Sequence, residues 1–263
     1  MLFSYSLLAQ AYLTISVFYP VVGQHQSSPV AYMPPETALI EDNELGATGL
    51  ATPNGTFGQL ALQLAGHESS QNVSNQTFCQ YPVVIFMPGT DTTRFFYSQI
   101  TSDIASNGYT VVTIDAPYDV DIVQYTDGSF ANINLTLRKT PDNTSLAQTA
   151  YLAIQTRVDD VSFVLDSLSN ISLAISLIPS LPPSGLNTTH TVMFGHSLGG
   201  ATAFSILDMD ERILGGLNMD DNLYGPDLPN GSSKPFMFMG QTITHAIMRM
   251  MIRVSHCRED DRI

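Results

Sequence analysis

Ser197 lies in the stretch "TVMFGHSLGGATAFSIL" with a glycine two residues away on either side, Gly195 and Gly199. An apolar, β-branched run leads into it and an apolar helical pattern leads out. This is the G-x-S-x-G arrangement of a strand-to-helix turn, so tight that side chains at the flanking positions would collide. On such a turn the hydroxyl stands clear of the backbone, and the following helix aims its N-terminal amides at negative charge forming nearby. The chemistry this equips is attack on a carbonyl carbon, with an acyl group held briefly on the serine. The five-residue pattern is weak alone; the strand before it and the helix after it make it specific.

A neutral hydroxyl needs partners for that work: a base, an acid that orients the base, and two donors for the oxyanion. One donor is the amide of Leu198, directly after the serine. The second falls on the turn that ends the run "YPVVIFMPG", where Thr90 follows Gly89. Asp220 ends "GGLNMD", the strand after the nucleophile helix, at the carboxyl edge where open α/β sheets place their sites. Asp221 is adjacent and is the alternative acid. His196 reads as a neighbour and not the base, because the elbow turns it away from the hydroxyl. The base should follow the acid along the chain. Beyond Gly240 only His245 and His256 remain, and neither has a recognisable setting, so the histidine stays unassigned.

Stepped hydrophobic patterns supply the elements that would hold these groups. "YPVVIFMPG" and "YTVVTIDAP" are continuous apolar runs suited to strands buried on both faces. "HTVMFG", "ILGGLNMD" and "KPFMFMG" read as further strands. Residues 94–108 carry Phe96, Ile100 and Ile104 at helical spacing, and 145–170 form the longest helical pattern. Strands alternating with helices imply parallel pairing and right-handed crossovers. The expected fold class is α/β, doubly wound and mostly parallel, with antiparallel strands at the N-terminal edge. Those edge strands are sought at 45–65, where Asn54-Gly55 suggests a hairpin. Residues 24–44 read as an irregular entry segment and 118–143 as an excursion over the surface.

A chain of 263 residues suits one such domain, assigned to 45–240. The net charge of −14, with only ten basic residues, argues against a nucleic-acid partner. Leu2 to Val22 is apolar and then turns polar, as a secretory leader cleaved after Gly23 would. A membrane anchor is the alternative, opposed by Gln10, Thr14, Ser16 and Pro20 within the run. Asn54, Asn72, Asn75, Asn134, Asn143, Asn170, Asn187 and Asn230 each begin a glycosylation triplet, which fits a secreted chain. Cys79 and Cys257 allow at most one internal disulfide, and nothing in their spacing suggests a metal. No cofactor motif is present, and acyl transfer through a serine needs none.

"YPVVIFMPGTDTTRFFYSQI", "GHSLGGATA" and "GLNMDD" together resemble the platelet-activating-factor acetylhydrolase family of α/β-hydrolases, particularly its secreted fungal members. The similarity covers about residues 45 to 240. It implies an α/β-hydrolase fold with Ser197 as nucleophile, Thr90 and Leu198 as oxyanion donors and Asp220 as acid. The substrate it implies is a short acyl ester of a lipid or phospholipid, with contact at a lipid surface. A broader carboxylesterase or polyester hydrolase is the alternative within enzymes. Outside them stands a catalytically dead secreted hydrolase-like protein without the histidine. Residues 241–263 differ in composition from the chain before them, with Arg249, Arg253, Arg258 and Arg262 in the last fifteen positions. A two-nucleotide frame shift within "TITHAIMRMMIR" can encode Asn-His-Thr-Arg-Tyr-Glu-Asp-Asp-Asp-Pro, which resembles what family members carry there. The expectation is an out-of-frame tail, a lost histidine segment and an incomplete C-terminal part.

Overall fold

The two most apolar runs become the middle of a seven-stranded sheet. The computed structural model describes residues 2–7, 13–20, 26–49, 53, 55–65, 81–133, 146–178, 181, 183–220, 223–224 and 231–240. Within it, "VVIFM" forms β5 (Val83–Met87) and "TVVTID" forms β6 (Thr110–Asp115), buried along their whole lengths. To one side of β5 lie β9 (Thr191–His196), β10 (Ile213–Met219) and β11 (Phe236–Met239). To the other lie β6, then β2 (Leu13–Phe18) and β1 (Leu2–Leu7). From β6 through β11 every neighbouring pair is parallel, whereas β1–β2 and β2–β6 are antiparallel. The doubly wound sheet with antiparallel N-terminal edge strands is therefore present.

Strand periodicity divides the core into two layers. Val83, Ile85 and Met87 of β5 face α4 (Leu146–Ser169) and α6 (Leu198–Ser205), packing with Val161, Val164, Leu165, Ala201 and Ala203. Val84 and Phe86 face the opposite way, toward Ala105 of α3 (Ser98–Ser106) and toward Leu62 and Leu64.

Three expectations change. The stretch read as a removable leader supplies β2, whose six residues are all buried between β1 and β6. A continuous apolar run is equally the signature of a leader and of a strand buried on both faces. The polar residues that interrupt it have partners in the fold: Ser16 Oγ and Thr14 Oγ1 accept from Arg94 Nε and Nη1 at 2.8 and 3.0 Å. Arg94 is 1% exposed and also pairs with Asp115, so the run closes a buried ionic site.

Residues 26–44 are not irregular. They contain β3 (Ser27–Ala31) and the start of α1 (Pro35–Ala47), where Pro35 occupies the first helical turn, a position whose amide needs no partner. The hairpin sought within 45–65 is absent among the described residues. Gly55, at φ 77°, starts the short α2 (Thr56–Gln59) instead, and β4 (Ala61–Ala65) pairs back onto β3. The surface excursion holds one small hairpin, β7 (Ile122–Gln124) with β8 (Phe130–Asn132). Asp221, Cys79, Cys257, His245, His256 and the 241–263 tail lie outside the described residues.

On the buried face of α1, Glu41 is 3% exposed and its Oε1 has no hydrogen-bond partner among the described residues. Burial, reinforced by the charges of Asp121, Asp115 and Glu44, pushes its carboxyl up to about 8. The folded protein therefore keeps this proton while the unfolded chain releases it near the ordinary carboxyl value. Stability from this group is fully present below that value and is lost as pH rises toward 8. Glu41→Gln should remove the loss. Denaturant melts at pH 5, 6.5 and 8 should show the variant gaining on the parent by up to roughly 1.4 kcal/mol per pH unit. Parallel stability curves would contradict this.

Candidate active site

All five parallel strands end at one edge, and the backbone there is strained in a regular way. Among the described residues, four non-glycine residues have left-handed φ: Asp91 (56°), Tyr118 (67°), Ser197 (51°) and Asp220 (60°). They follow β5, β6, β9 and β10 in turn. Such conformations cost about 1–3 kcal/mol each and persist where the surrounding structure enforces them. All four stand at the carboxyl edge of the sheet.

Ser197 has ψ −128° as well and stands at the N-cap of α6. Serine at that position ordinarily accepts a hydrogen bond from a helix amide. Here the side chain makes no capping bond. The hydroxyl thus gives up the stabilising role its position offers, and the backbone bears strain to hold it. The main chain is anchored instead: Ser197 N donates to Met219 O at 2.8 Å, and Ser197 O accepts from Gly200 N and Ala201 N.

Glycines make the turn possible by admitting backbone where side chains would stand. A Cβ on Gly199 would lie 2.1 Å from Met87 O, and one on Gly195 would lie 2.3 Å from Gly199 C. The helix start is therefore pressed against the end of β5. Gly89, on the turn that follows β5, is also near, since its Cβ would sit 3.2 Å from both Ser197 Cβ and His196 Nδ1. The turn carrying Thr90 thus abuts the serine, and the Leu198 amide begins α6 beside it. Gly89, one residue before Thr90, is thus brought against Ser197, and Leu198 follows it directly in the chain.

Asp220 arrives at the same edge by strand pairing. His196 and Met219 are register partners across β9 and β10, so the residues that follow, Ser197 and Asp220, end adjacent strands. Asp220 N donates to Met239 O at 2.8 Å, which fixes it between β10 and β11.

His196 turns toward Tyr97. Its Nδ1 lies 2.7 Å from Tyr97 Oη, and the two rings are tilted by 39° with centroids 5.7 Å apart. Burial pushes the Tyr97 hydroxyl up to about 12, with a hydrogen bond from the Gly89 backbone and the charge of Arg157 pulling the other way. Tyr97 therefore stays protonated and bridges the Gly89 turn to the elbow. The pair Asp119 and Arg157 did not stand out in the sequence. Arg157 is 1% exposed on α4, with Nε 2.6 Å from Asp119 Oδ2 and Nη1 2.7 Å from Pro88 O. The only sequence signal was a lone arginine in an otherwise apolar helical face.

Sheet topology, elbow and edge together define an α/β-hydrolase. The model of the family described as platelet-activating factor acetylhydrolase, isoform II, matches residues 13–240. The chain belongs to that family, and the match begins at the first residue of β2. Over 229 residues it is 29% identical to a protein of Arthroderma benhamiae named "Probable 1-alkyl-2-acetylglycerophosphocholine esterase". The match covers 83% of this chain and 53% of the relative, so the chain spans about half the relative's length. A ferulic acid esterase from Streptomyces cinnamoneus shares the fold with a TM-score of 0.65 at 21% identity, over 90% of this chain and 62% of that one.

Proposed function

We propose that this chain carries the nucleophile half of a serine esterase for short acyl esters of lipids or phospholipids, of the 1-alkyl-2-acetylglycerophosphocholine type. Ser197 attacks the ester carbonyl and the alcohol leaves, so the acyl group is held on its hydroxyl oxygen. Water then releases the acid. Charge on the carbonyl oxygen is met by the amides of Leu198 and Thr90, and Asp220 orients the histidine that relays the proton. No histidine among the described residues is assigned that role. The observation carrying this reading is the uncapped, left-handed Ser197 lying directly against the Gly89–Thr90 turn. Family membership supports the ester class, and the relative's name supports the acetyl phospholipid.

The test is covalent labelling with a fluorophosphonate probe, mapped by peptide mass, combined with hydrolysis of acetyl and long-chain nitrophenyl esters. Label on the peptide holding Ser197 with acetyl esters preferred supports the proposal. Equal or greater turnover of long chains would instead favour the broader carboxylesterase, and a folded protein that takes no label would favour the hydrolase-like protein without activity.

Secretion belongs to the same proposal. It is supported by the glycosylation triplets, of which Asn170 and Asn187 are described and both exposed. Cleavage after Gly23 is not part of it, because that would remove β2. Among the described residues, no single helix is long and apolar enough to cross a membrane.

A further inference from the structure

The peptide that presents the Thr90 amide also contains the Gly89 carbonyl. In a planar trans peptide the N–H and C=O point in opposite directions, so fixing one fixes the other. Gly89 O accepts from Arg157 Nη2 at 3.3 Å, and the preceding carbonyl, Pro88 O, accepts from Arg157 Nη1 at 2.7 Å. One buried guanidinium thus holds two successive carbonyls on the α4 side of the turn. The Thr90 N–H is directed away from α4 by the same constraint.

Asp119 completes the brace. Its Oδ2 accepts from Arg157 Nε at 2.6 Å and its Oδ1 accepts from Thr90 Oγ1 at 2.8 Å. Its backbone oxygen accepts from Asp91 N at 3.0 Å. It follows Tyr118, whose left-handed φ sets the chain back toward the turn. A bidentate fork suits this task because guanidinium donors have fixed mutual geometry, which an ammonium lacks.

We propose that Arg157 and Asp119 are positioning residues that orient the Thr90 amide toward the oxyanion formed at Ser197. The inference rests on the esterase reading of Ser197. Neither side chain touches the reacting atoms; both act through the Pro88–Thr90 backbone.

The experiment pairs kinetics with hydrogen exchange on the full chain. Arg157→Met should lower kcat about 10²-fold, the scale of losing one oxyanion donor, with KM changed by less than about threefold. Arg157→Lys, which keeps the charge and one donor direction, should recover part of that loss. Amide exchange in the peptide covering residues 87–92 should quicken in Arg157→Met, Arg157→Lys and Asp119→Asn, and equally when each is combined with Ser197→Ala. Wild-type kcat with unchanged exchange in folded Arg157→Met would overturn the inference, as would a raised KM at constant kcat. Should Arg157→Met not fold, the same two readouts on Arg157→Lys decide, wild-type values again overturning it. If the parent protein shows no ester turnover, the esterase reading fails, and the exchange data alone decide whether the brace exists.

Discussion

Replacing Ser197 by alanine should abolish fluorophosphonate labelling and lower ester turnover by about 10⁴- to 10⁶-fold, as loss of a nucleophile does where it acts as a unit with its base. What remains is the contribution of substrate binding and the two amides. Stability should hardly change. The hydroxyl caps no amide of α6, so its removal leaves no backbone group unsatisfied, and alanine inherits the same strained φ and ψ. The expected result is therefore a melting temperature within about 2 °C of the parent with chemistry lost. A variant that still takes the label would place the nucleophile elsewhere. One that unfolds would mean the serine serves the fold, as an ordinary N-cap serine does.

Gly199→Ala is expected to fail differently, losing structure and activity together. The added carbon would stand 2.1 Å from Met87 O and 2.6 Å from Pro88 O, both backbone atoms held in the sheet and its following turn. No rotamer change relieves a clash with main chain, so α6 must move off β5. Two losses follow. The interdigitated layer of Ala201, Ala203, Ile85 and Met87 opens, and the Leu198 amide swings from the Thr90 turn. The destabilisation should be about 4 kcal/mol or more, at the severe end for a point change. Soluble yield and denaturant melts measure it. Wild-type stability with wild-type labelling would mean the helix start does not press on β5 as described.

Both of these residues were legible in the sequence. Gly195, Ser197 and Gly199 lie within five positions of each other, and the strain that demands glycine at both flanks is local. The motif therefore carries its own geometry. Strands β5 and β6 were legible for a similar reason: a strand covered on both faces reads as a near-continuous apolar run, closed here by Pro88-Gly89 and by Pro117. Asp220 followed from its place at the end of β10.

Residues 13–18 show where local pattern stops discriminating. Their hydrophobicity serves a leader as well as a buried strand, and only the pairing with β6 and the Arg94 donors to Thr14 and Ser16 separate the two. For 45–65 the glycine of the Asn-Gly signal, Gly55, starts α2 with a positive φ. The partner strand lay upstream at 27–31, which no turn signal could locate.

The sequence by itself determined the candidate nucleophile, the candidate acid and the parallel strands that carry them, because each depends on residues within one turn or one strand. Tertiary structure alone decided that Arg157 grips carbonyls 68 and 69 positions away, that Asp119 joins it to Thr90, and that Tyr97 ties His196 to the Gly89 turn. Those bonds have no short-range trace, since a guanidinium forms the same helix whether its partner is water or a distant backbone. What selects the partner is the stacking of α4 on the sheet, and that is set by the whole core.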